Sequence, residues 1–138
     1  MLTEHQITLV QGTWKKVIPI SHVAADLFYT KLFELDPSLR PLFSDNMAQQ
    51  KQKLMQMIGV AVGGLNNLEA IVPAVEDLGR RHVAYQVTDE HYDTVAAALL
   101  DTLDKGLGDD FTDEVREAWT DTYVLLATTM KNAAATVS

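Results

Sequence analysis

The chain has 138 residues, a size at which one core buries about two-thirds of the surface an unfolded chain exposes, so a single domain over residues 1–138 is expected. Apolar residues make up 47% and charged residues 22%, a balance that excludes a disordered or fibrous chain. With 19 acidic against 11 basic residues the formal net charge is −8, which opposes nucleic acid or an anionic membrane as partner, and the lack of cysteine excludes disulfides, thiolate zinc sites and cysteine nucleophiles.

The opening MLTEHQITLV has neither a basic leader nor a long apolar run, and no later window is apolar enough to span a bilayer. A cytoplasmic protein without membrane insertion is expected. Thr3 and Gln6 have the spacing of a capping box, and Ile7, Val10, Trp14 and Val17 then recur every three or four residues, predicting a helix that runs to about Val17, before Pro19. Ser21 is a second cap, ahead of Ala24, Leu27, Phe28, Lys31, Leu32 and Leu35, and Asp36-Pro37 stops that helix. The two prolines of PSLRPLFSDN leave room for one helical turn, a corner presenting Leu42 and Phe43.

From about Met47, the positions Gln50, Leu54, Met57, Ile58, Ala61, Val62 and Leu65 share one face of a helix ending near Gly63-Gly64. Leu68, Ile71, Val72, Val75, Leu78, His82 and Tyr85 form the next stripe, which Pro73 and Gly79 are expected to break or make irregular. Thr88 caps a helix carrying Tyr92, Val95, Ala96, Leu99 and Leu103 up to Gly106. Thr112 caps a last one with Val115, Trp119, Tyr123, Leu126 and Met130. About six to seven helices and no strand make the fold all-α.

Two polar residues fall on apolar stripes. His82 is inward, whereas Arg80 and Arg81 lie about 100 to 200 degrees around the same helix. By spacing alone His82 reads as a core histidine satisfied by a backbone carbonyl, Gln50 as a helix-start amide wet at one end, and Tyr29 as a core aromatic with its hydroxyl at the edge. A site arises if the three share one cavity. No Ser/His/Asp order, paired-acid motif, HExxH or glycine-rich phosphate loop occurs, whereas one imidazole opposite two hydrogen-bond donors suits a haem iron with a gaseous ligand. His5, His22 and His91 fall off the expected pocket and read as surface or capping residues.

Trp14, FYTKLFELDP (Phe28 to Pro37), PLF (Pro41 to Phe43), LGRRHVAYQV (Leu78 to Val87) and EHY (Glu90 to Tyr92), in this order and spacing, resemble the globins over essentially the whole chain. The likeness is to bacterial single-domain haemoglobins and the haem domain of flavohaemoglobins. It implies a globin fold, haem b (iron protoporphyrin IX) as cofactor, and His82 as the ligand to iron. Phe43 matches the corner phenylalanine on the haem face, Pro37 the proline that turns the chain there, Tyr29 and Gln50 the distal tyrosine and glutamine, and Leu54 the apolar distal residue. Val87, Val95 and Leu99 match positions along the haem edge or proximal side, and Lys53 and Arg81 are candidates for the haem propionates. With no distal histidine, a five-coordinate ferrous iron is expected.

The resemblance also implies dioxygen, nitric oxide and carbon monoxide as small ligands, and oxygen-dependent conversion of nitric oxide to nitrate. The chain stops at Ser138, where flavohaemoglobins continue into a reductase, so a separate reductase is expected. Tyr92 matches a tyrosine of the proximal relay, but its partner carboxylate aligns with Ala134, and no Asp or Glu follows Asp121. That departure weakens the proximal donation to iron. An oxygen-binding globin active in nitric oxide detoxification is the leading expectation; a dedicated nitric oxide dioxygenase using a separate reductase and a globin-fold sensor or interaction module are the alternatives.

Overall fold

The computed structural model describes residues 2–43, 47–84 and 89–135, and at residues 42, 68, 82–84, 89 and 134 the backbone alone. Among the described residues there are six α-helices and no strand: α1 (Glu4–Val17), α2 (Ser21–Leu35), α3 (Ala48–Gly63), α4 (Leu68–Ala84), α5 (Asp89–Leu107) and α6 (Asp113–Ala135). Short 3-10 segments at Ile18–Ile20, Pro37–Leu42 and Gly108–Asp110 join or extend them.

The start of α1 is the expected capping box: the Thr3 hydroxyl accepts from the Gln6 amide, and the Gln6 side chain accepts from the Thr3 amide, both at 3.0 Å. Pro19 ends α1, and the chain passes through its 3-10 turn into α2. Ser21 is therefore not the cap that spacing predicts. Ile20 is the N-cap without a side-chain cap bond, and the Ser21 amide donates to the Ile18 carbonyl as the 3-10 turn runs directly into α2. At the far end of α2 the Asp36 carboxylate accepts from the Ser38 amide at 3.1 Å and opens the expected corner. Thr112 caps α6, accepting from the Val115 amide at 3.2 Å, whereas the predicted Thr88 cap lies outside the described residues.

The expectation of a broken α4 is overturned, since the helix runs unbroken from Leu68 to Ala84 with Pro73 inside it. Pro73 faces solvent, where it leaves a single carbonyl without its helical partner, and packing along α6 holds the turns on either side. Gly79 is buried where α4 meets α6: a Cβ there would lie 2.3 Å from the Met130 carbonyl oxygen. The glycine gives up helix propensity and admits the neighbouring backbone. Two residues of the predicted stripes are also misplaced, Leu35 being 44% and Met57 39% exposed. Leu35 is the last residue of its helix, and Met57 lies at the margin of the arc set by Leu54, Ile58 and Ala61.

The core forms where α1, α2, α5 and α6 meet, around Val10, Trp14, Phe28, Ala98, Leu103, Ala118 and Trp119. Trp14 and Trp119 meet at a centroid distance of 6.1 Å. The buried Trp119 indole N–H donates to Thr13 Oγ1 at 2.9 Å, and the Thr13 hydroxyl donates in turn to the Leu9 carbonyl at 2.7 Å. Both polar groups are thus paired in an apolar interior, where an orphan would cost about 1–3 kcal/mol. Against this core α2 packs along α5 and α4 along α6, while α3 lies beside α2. The α2–α3 contact includes an ion pair between Asp26 and Lys51 at 2.8 Å. No helix among the described residues is long and apolar enough to cross a membrane.

Candidate functional site

The first turn of α3 is held beside the middle of α2 by one polar contact. Gln50 Nε2 donates to the Tyr29 hydroxyl at 3.1 Å. Tyr29 is 4% exposed and Gln50 half-buried, so the amide closes the open end of a buried phenol. Because the phenol oxygen accepts in this bond, its own proton remains available for donation. Burial raises the Tyr29 pKa, and the Gln50 hydrogen bond lowers it in part. The phenol therefore stays protonated at physiological pH.

Aromatic rings fix this tyrosine. Phe28 meets it edge-on at 5.1 Å, Phe43 edge-on at 5.6 Å, and Phe33 lies tilted at 5.9 Å. Phe43 also contacts Phe33 at 5.5 Å. The corner that follows α2 thus brings Phe43 back onto the helix carrying Tyr29, as the two prolines suggest. The Arg40 guanidinium stacks 5.5 Å from the Phe33 centroid, and its Nη1 donates to the Phe43 carbonyl at 3.3 Å. Phe33 and Arg40 lie off the apolar stripes. Phe33 is one turn beyond Tyr29, so the i, i+4 spacing was the signal for it; nothing local marks Arg40, whose partners depend on the corner.

Leu54 and Val95 are half-buried and pack against the core, and Leu99 is 9% exposed. Leu54 and Leu99 meet Phe28, Met55 and Ile58 around a void of about 10 Å³, room for no more than one water. Lys53 is exposed. Arg81 is exposed as well and pairs with Asp77, one turn earlier on α4, at 3.2 Å. Tyr92 is 7% exposed; its carbonyl accepts from the Tyr123 hydroxyl at 2.7 Å, and Lys131 Nζ stands 5.1 Å from its ring centroid. Lys131 is a further residue that spacing passes over.

The backbone of His82 belongs to the last turn of α4, while its side chain, with those of Ala134 and the whole of Val87 and Tyr85, lies outside the described residues. Of the predicted site, the structure brings together Tyr29, Gln50 and Phe43, and it places Leu54 and Leu99 against the neighbouring Phe28. Lys53 and Arg81 stand apart on the surface. Among the described residues no group of three or more His, Asp or Glu side chains could hold a metal ion by itself.

A family model described as Globin matches residues 26–130, more than half of the chain. A flavohemoprotein of Vibrio cholerae is 33% identical over 132 residues, covering 92% of this chain and 33% of the relative. A flavohemoprotein of Xylella fastidiosa is 33% identical over 138 residues, covering 96% of this chain and 34% of the relative. The chain thus spans about a third of the length of these curated relatives. A solved structure of an engineered carbene transferase and candidate nitric oxide dioxygenase from Rhodothermus marinus superposes with a TM-score of 0.89 at 26% identity, covering 99% of this chain and 96% of the other. A bacterial globin from Campylobacter jejuni shares the fold at a TM-score of 0.81 and 24% identity, with 98% of each chain covered. The expected all-α globin fold is therefore present, and the chain belongs to the globin family, resembling the haem domain of flavohaemoglobins.

Proposed function

We propose that the protein binds haem b and, through it, dioxygen, with nitric oxide detoxification as its role and carbon monoxide as a further ligand. The observation that carries this reading is the Tyr29–Gln50 pair: two hydrogen-bond donors joined at 3.1 Å and walled by Phe28, Phe33 and Phe43. The family match and the names of the flavohemoproteins and of the Rhodothermus marinus protein support it.

The residues present fit haem. A flat, largely apolar ring needs apolar walls, and Phe43, Leu54 and Val95 are apolar side chains left half-buried on the corner, α3 and α5. His82, in the last turn of α4, is the residue that would hold the iron through a neutral imidazole. Leu99 and Val87 would add apolar contact along the ring, and Lys53 and Arg81 would meet its propionates. For Arg81 this means exchanging an exposed ion pair with Asp77, a partner that contributes about 0–1 kcal/mol at a surface. Haem, when bound, supplies an iron that takes up a diatomic gas and exchanges electrons with it.

What the chain itself contributes follows from the donors. A diatomic ligand that gains partial negative charge is stabilised by the Tyr29 O–H and the Gln50 N–H, held in place before the ligand arrives. The raised pKa of Tyr29 keeps that proton in place. Tight ligand binding and slow release follow. On the proximal side, Tyr92 has a cation, Lys131, over its ring, and the position matching the relay carboxylate holds Ala134, so the imidazole lacks the carboxylate that would strengthen its donation. Binding is favoured over fast redox turnover on that ground, and repeated nitric oxide removal needs electrons from a reductase.

The test is the absorption spectrum of the haem-reconstituted protein in its ferrous, oxygenated and carbonmonoxy forms. A strong Soret band that is lost in His82→Ala is expected, with nitrate formed when nitric oxide meets the oxygenated form. A chain with no Soret band after reconstitution overturns the proposal.

A further inference from the structure

We propose that Gly79 is a positioning residue for His82, acting through the crossing of α4 and α6. This inference rests on the reading of His82 as the residue that holds haem iron. Gly79 is buried three residues before His82, one turn earlier on the same helix. A Cβ at this position would lie 2.3 Å from the Met130 carbonyl oxygen, 2.7 Å from its Cα and 2.8 Å from its carbonyl carbon. All three are backbone atoms in the interior of α6, which cannot rotate away as a flexible side chain can. Any larger residue must therefore move one helix relative to the other.

The consequence is local to the end of α4. Upstream, Ile71 and Val75 are buried and anchor the first half of the helix. Downstream of Gly79, Arg80 and Arg81 are exposed, and Arg81 pairs with Asp77 of its own helix. The Gly79–Met130 contact is thus a close approach of the α4 and α6 backbones one turn before His82, and a methyl group there displaces the turn that carries His82. Gly12 in α1 and Gly63 at the end of α3 differ in kind: a Cβ at either meets nothing within 4 Å. Gly79 is tuned by contact, and those two are not.

The experiment compares Gly79 with Gly79→Ala in holoprotein carrying Gly12→Ala and Gly63→Ala, two open-space substitutions that add helix propensity to the reference. In the ferrous protein the iron–histidine stretching band in resonance Raman is expected to shift on Gly79→Ala, and haem to be lost about 10- to 100-fold faster, the usual scale for disturbing the support of a metal ligand. In a His82→Gly background rescued with free imidazole, the ligand is detached from α4, and Gly79→Ala is expected to leave the band where it was. A lowered melting temperature with an unmoved band and an unchanged rate of haem loss makes Gly79 a packing residue only and overturns the inference. An equal shift with detached imidazole overturns it too, because the effect then does not pass through His82. A reference protein that takes up no haem at all fails the reading of the site itself, an outcome visible before any variant is compared.

Discussion

Tyr29 and Gln50 are on different helices and share one hydrogen bond, so each supports the other, and under the proposed function each is also a donor to the ligand. Tyr29→Phe and Gln50→Leu are each expected to speed oxygen release by roughly 10- to 150-fold, the equivalent of about 1.5–3 kcal/mol for a hydrogen bond to a charged group. The double variant is expected to fall short of the product of the two, since the first substitution already disturbs the second residue; stopped-flow dissociation rates check both statements. Spacing alone left each of these residues with an ordinary explanation. What it could not supply is the 3.1 Å contact, which depends on the placement of α3 beside α2. Phe43 was legible because prolines confine its corner, whereas Arg40, stacked on Phe33, was not, because cation stacking leaves no periodic mark.

At the level of elements, the sequence marks the helix ends better than it marks continuity. Caps and prolines act locally, so the capping box of α1, the Asp36-Pro37 stop and the Thr112 cap are found where the residues place them. Pro73 and Gly79 carry the same local signals, yet α4 continues through both, because burial of Ile71 and Val75 and the packing of α4 along α6 outweigh the loss of one hydrogen bond and some propensity. Pro73 is exposed, and its replacement restores an amide to the helix. Pro73→Ala is therefore expected to stabilise the chain by about 2 kcal/mol, the helix penalty of proline less its restraint on the unfolded chain. Thermal melting monitored at the helical circular dichroism band checks this, and a lower midpoint would mean that the proline bend is part of the packing.

For the molecule as a whole, alkali is the pH limit that the tyrosines set. Burial raises the pKa of Tyr29 and, more strongly, that of Tyr123, where Tyr92 and Asp93 add to the effect. The unfolded chain releases these protons near the ordinary tyrosine value of about 10, while the folded chain keeps them. Stability is then complete below that pH and falls as pH rises beyond it, because the unfolded state binds fewer protons. Denaturant midpoints measured upward from about pH 8 should decline past about pH 10. In Tyr123→Phe the decline should be shallower, although the variant begins less stable for want of the 2.7 Å bond to the Tyr92 carbonyl. The sequence by itself determined an all-helical chain, most of its apolar stripes and the helix ends that the Thr3 box, Asp36-Pro37 and Thr112 mark, since caps, prolines and periodicity are properties of neighbours along the chain. Only the tertiary structure decided that α4 runs unbroken, that Tyr29 and Gln50 meet, and that Gly79 abuts Met130, because those depend on which helices pack together and how closely their backbones approach.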